Sequence, residues 1–68
     1  MSHPTVDEAV TLAVDIPELS LRHGARGTVR GIWLAPAEAY EVEFSDGASA
    51  FTLRVLLRPE QIEPNTHT

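Results

Sequence analysis

Gly24-Ala25-Arg26-Gly27-Thr28-Val29-Arg30-Gly31-Ile32-Trp33, followed by Tyr40-Glu41-Val42-Glu43-Phe44 and Ser45-Asp46-Gly47, decides how this chain folds. Tyr40, Val42 and Phe44 alternate with Glu41 and Glu43, the period of two that turns one apolar strand face inward. Asp46-Gly47 supplies a two-residue turn with positive φ, the strongest short-range hairpin signal. In the earlier segment Gly24 and Gly27 bracket a turn, and a strand starts near Thr28. Gly31 interrupts that strand, as glycine does at a bulge or sharp bend. A bulge there lets both Val29 and Ile32 point inward despite their odd spacing. Small barrels need such bends to close.

Outward from this ribbon the period stays at two. Val10, Leu12 and Val14 alternate with Ala9, Thr11 and Ala13 in a first strand, entered from Asp7 and Glu8. The chain leaves it at Ile16-Pro17-Glu18-Leu19, because Pro17 cannot donate to a ladder. Leu19 and Leu21 then offer apolar anchors for a loop folding back over the barrel. Leu34-Ala35-Pro36-Ala37-Glu38-Ala39 connects the second strand to the third. A fourth strand runs from about Ser49 to Leu56, with Phe51, Leu53 and Val55 inward and Thr52 and Arg54 outward. Pro59-Glu60-Gln61 suits one 3₁₀ turn, and Ile62 anchors a last, very short strand. The expectation is an all-β, five-stranded SH3-like barrel with one 3₁₀ turn before the last strand. Its domain spans residues 6–63, between disordered tails at 1–5 and 64–68.

The 68 residues make one domain, without cysteine for a disulfide or thiolate metal site. A core of this size rarely supplies more than about 3–5 kcal/mol net, so association with another chain is a natural supplement. No apolar run approaches the roughly 20 residues that span a bilayer. Met1-Ser2-His3-Pro4 lacks the basic and apolar regions of a signal peptide, and a cytoplasmic location is expected. The net charge of −5 argues against general binding to nucleic acid or anionic membrane. All five basic residues are arginine.

The ordered features resemble a known family. Ile16-Pro17-Glu18, Leu21, Gly24-Ala25-Arg26-Gly27-Thr28-Val29, Tyr40-Glu41-Val42-Glu43-Phe44, Asp46-Gly47, Thr52 and the closing Leu56–Ile62 segment look like the small bacterial domain-of-unknown-function family 4926. The resemblance covers roughly residues 6–63 and implies an SH3-like barrel and no assigned activity. The Gly-x-x-Gly-x-Val and Tyr-x-Val-x-Phe pairing is more loosely similar to KOW-type barrels and to the SH3-like domain of nitrile hydratase β subunits. Neither similarity carries a functional residue to this chain.

No constellation points to catalysis. His3, His23 and His67 lack metal-site spacing. His3 would complete an amino-terminal copper or nickel chelate only if Met1 is retained, and small Ser2 favours its removal. Glu41 and Glu43 share a strand face that no cleft encloses, which suits solvation better than acid–base work. Gly24-Ala25-Arg26-Gly27 is followed by no Lys-Ser/Thr and opens no helix, so it is turn chemistry and not a phosphate loop. No catalytic residue, cofactor, metal or small-molecule substrate is implied.

Two surfaces stay open to function. Arg22, Arg26 and Arg30, with His23, form a stretch from Leu19 to Ala37 that contains no acid. They either pair with acids on neighbouring strands or contact an acidic protein surface or nucleic acid. Trp33, Leu34 and Pro36 are either a lid over the barrel's open end or an exposed anchor, since tryptophan is enriched at interface hot spots. The expected function is a non-catalytic protein-binding or accessory module. It docks on a larger protein, or self-associates, through Trp33, Leu34, Pro36 and Tyr40 or through a sheet edge, with the arginines setting orientation. The alternatives are a KOW-like nucleic-acid contact and a small immunity or antitoxin protein.

Overall fold

A computed structural model describes residues 4–45 and 52–64. Five strands occur in chain order: β1 (Ala9–Leu12), β2 (Arg26–Trp33), β3 (Ala39–Ser45), β4 (Thr52–Leu57) and β5 (Ile62–Pro64). They form one antiparallel sheet in the order β4-β3-β2-β1-β5. Among the described residues two short 3₁₀ turns occur: Pro59–Gln61, directly before β5 as its Pro-Glu-Gln sequence predicts, and Pro17–Leu19, where the sequence predicts only a strand exit. The all-β class and the strand count agree with the sequence. Closure does not appear among the described residues: β4 and β5 stand at opposite edges of an open sheet.

The core is the inner face of that sheet. Val10, Leu12, Val29, Tyr40, Val42, Phe44, Leu57 and Ile62 are buried, and Ile16, Leu21, Ala25 and Val55 pack against them. The central alternation of β3 is realised along its whole length. Gly27 is buried opposite Phe44, and a β-carbon there would stand only 2.5 Å from Val42 Cγ1. Glycine is therefore required at that position for packing. Gly24, by contrast, has φ +90° and open space around it. Its requirement is conformational.

The β2–β3 register shifts between Val29 and Gly31, so the expected bulge is present. Beyond it Ile32 faces Tyr40 on the inner side. Ile32 nevertheless stays 37% exposed. The β1 register with β2 covers Arg26 to Thr28, which leaves the far half of β2 without a β1 neighbour.

Other apolar expectations need correction. Val14 is exposed because β1 ends at Leu12, where Gly24 N–H donates to the Leu12 carbonyl and Ala13 N–H to Gln61. Leu53 lies opposite Phe44 on the inner face but on the edge strand, and it too is exposed. Leu57, one position beyond the expected strand, is buried instead. Of the two loop anchors only Leu21 packs on the core, held by a bridge to Ile16; Leu19 is exposed. At the domain ends Pro4 is buried and Pro64 pairs with Val10. The Asp46-Gly47 turn, Ser49 and Phe51 lie outside the described residues.

Candidate functional site

The bulge decides what the end of β2 displays. Directly paired residues share a sheet face. Gly31 lies opposite Glu41, Ile32 opposite Tyr40 and Trp33 opposite Ala39. Trp33 therefore stands on the outer face, with Glu41 and Glu43. Across β3 the same face carries Leu56, which pairs with Glu41. Trp33 is 54% exposed, Leu34 77% and Leu56 61%. Pro36 is also exposed, and the Ala35–Pro36 peptide bond is cis. The apolar run is thus an exposed end of the molecule and not a lid over the core.

Tyr40 does not belong to that surface. It is 1% exposed, within the core cluster, and its hydroxyl donates to a Glu38 carboxylate oxygen. Burial, reinforced by Glu38, pushes the phenol up to about 12. The docking position expected for Tyr40 gives way to its place on the inner face with Val42 and Phe44, where the alternation of β3 puts it. It supports the exposed loop from within.

The three arginines are engaged differently. Arg30, at the bulge, is clamped: Nε donates to Glu43 Oε1 and Nη1 to Asp7 Oδ1, each at 2.8 Å. Arg54 lies 3.6 Å from Glu41 Oε2 and 3.9 Å from Glu43 Oε2. The outer face thus carries an alternating row, Asp7, Arg30, Glu43, Arg54, Glu41, across β2, β3 and β4. The Arg30 hydrogen bond holds the Glu43 carboxyl below the usual carboxylate range. Arg22 and Arg26 are exposed and form no ion pair among the described residues. Arg26 and Trp33 sit at opposite ends of β2, about 23 Å apart at the rise of a strand. A partner bound at Trp33 would reach Arg26 only by spanning most of the length of β2.

Near the basic end, Asp15 accepts from His23 twice. The His23 backbone N–H donates to Asp15 Oδ1 at 2.9 Å, and His23 Nδ1 lies 2.8 Å from the same oxygen. The backbone hydrogen bond and then the imidazole lower the Asp15 carboxyl. An open hollow beside them is lined by Asp15, Pro17, Ser20, Leu21 and Arg22. Among the described residues no group of three or more His, Cys, Asp or Glu side chains could hold a metal ion.

Two elements of this surface escape a reading of the sequence. Leu56 carries a signal, since it shares parity with the outward Thr52 and Arg54. Asp7 carries none, being 23 positions from Arg30.

A family model described as a domain of unknown function, DUF4926, matches residues 7–64. No curated protein and no solved structure matches.

Proposed function

The chain belongs to the DUF4926 family, and from that premise we propose that it is a non-catalytic docking module that engages a larger protein through the end of β2. The exposure of Trp33 and Leu34 at a strand end whose core is complete without them carries this reading. A tryptophan held on a paired strand is a rigid, large contact surface that loses little entropy on binding. Leu34 and Pro36 extend it into the following loop, and Tyr40 beneath fixes the loop's base. The partner chemistry that fits is an apolar pocket admitting an indole, with Leu34 at its rim. The non-catalytic part of the reading is supported by the carboxylates of β3, which are engaged by Arg30 and Arg54.

A photoreactive amino acid at Leu34, introduced into the full chain in its native cells, tests the proposal. The expected result is a discrete adduct with one larger protein that disappears when Trp33→Ala is added, while circular dichroism shows the fold retained. An adduct pattern unchanged by Trp33→Ala, or adducts only with nucleic acid, would overturn it.

A further inference from the structure

We infer that β4 is a self-complementary edge through which two copies of this chain join into one continuous antiparallel sheet.

The two edges of the sheet are built differently. The β5 edge is three residues long and ends in Pro64, which has no N–H to offer. Short length and proline are standard protection against edge pairing. The β4 edge, Thr-Leu-Arg-Val-Leu-Leu, is six residues long and has no proline or lysine. Its register with β3 runs unbroken from Tyr40↔Leu57 to Ser45↔Thr52, so no bulge twists it away. Among the described residues no strand pairs with its outer side. Leu53 and Leu56 on it are exposed, and Val55 is only partly buried.

The occupant is set by the side chains. An antiparallel pair of identical strands is related by a two-fold axis normal to the sheet, which keeps inner faces with inner faces. With Val55 opposite its own symmetry mate, Leu53 meets Leu57 of the second copy and Arg54 meets Leu56 of the second copy. Leu53, Val55 and Leu57 are all on the core side, so the two cores become one. Arg54 is drawn back toward Glu41 and Glu43 of its own sheet, leaving its methylene stem to lie against leucine. The neighbouring registers are worse. Centring on Arg54 sets two guanidiniums face to face, centring on Leu56 sets Arg54 against Arg58, and centring on Leu53 leaves half of β4 unpaired. Like charges directly opposite are destabilising.

The chain's lack of cysteine makes the register measurable. Val55→Cys, oxidised in the full-length protein, should form an interchain disulfide much faster than Leu56→Cys. Sedimentation equilibrium should show a reversible dimer of the 7.4 kDa chain. Leu56→Arg, which sits opposite Glu41 within one sheet and keeps the monomer folded, should weaken dimerisation about tenfold by facing Arg54 across the interface. Adding Arg54→Thr should restore most of that loss. A monomer at millimolar concentration overturns the proposal. So does equal crosslinking at positions 55 and 56, or a Leu56→Arg defect that Arg54→Thr leaves unchanged.

Discussion

Gly27 lies directly across from Phe44, and a β-carbon on it would approach the Phe44 ring to 2.9 Å. The same atom would press on the Val42 side chain and the Glu43 carbonyl. Gly24, three positions earlier, meets nothing within 4 Å but holds φ +90°. One glycine is needed for space and the other for its backbone.

Gly27→Ala should therefore overpack the core and cost about 1–3 kcal/mol in urea unfolding, with no rescue by another side chain. Gly24→Ala should cost about 1–2 kcal/mol. Gly24→Asn should recover part of the Gly24 loss, because asparagine tolerates a left-handed backbone, and unfolding curves for the three variants distinguish the two causes.

Trp33→Ala should leave stability within about 0.5 kcal/mol of the parent, as exposed substitutions do. Leu57→Ala, at a buried position, should cost about 2–5 kcal/mol. A large loss for Trp33→Ala in thermal or denaturant unfolding would show that the indole serves the core.

Tyr40 is the chain's single tyrosine, so its ionisation can be followed by ultraviolet absorbance without overlap from another phenol. It should titrate near 12 in the folded protein, above its ordinary value of 10.0. The folded state holds this proton more tightly than the unfolded state. Its contribution is complete below pH 10 and is lost as pH rises toward 12. Tyr40→Phe should flatten the alkaline decline in stability across that window.

Glu43 works at the other end of the pH scale. Arg30 holds its carboxyl below the ordinary value of 4.5, so the stabilisation is present above that pH and is lost as acid protonates the group. Carbon-detected NMR of the glutamate side chains should show Glu43 titrating closer to 4.5 in Arg30→Ala. Arg54 remains beside it and keeps the return incomplete. The stability difference between neutral and acid pH should shrink in the same variant.

What could be read in advance was local. The Tyr40-Val42-Phe44 face, the bulge at Gly31, the Pro59–Gln61 turn and the Ile62 anchor each follow from a few consecutive residues. What could not be read depends on distant neighbours. Leu53 has the inward parity of a core residue, yet its strand is an edge, and exposure follows from topology. Val14 continues an alternation that the close approach of Gly24 and Gln61 brings to an end. Whether the sheet closes depends on the meeting of β4 and β5, which no local pattern specifies. The three arginines look like one stripe in sequence, but Arg30 is claimed by Asp7 and Glu43 from two other segments.

The bulge between Val29 and Gly31 also acts as a parity counter for everything downstream on β2. Pairing the same residues without it would turn Ile32 to the solvent side and the indole toward the core, whereas removing the one extra residue, Arg30 or Gly31, leaves Ile32 opposite Tyr40 and Trp33 opposite Ala39. A single-codon deletion could thus erase the bulge while leaving the displayed tryptophan, the strand order and the β3 face intact. In a lineage of such domains, that extra residue can be gained or lost by insertion and deletion without changing which side chains this end of the strand displays.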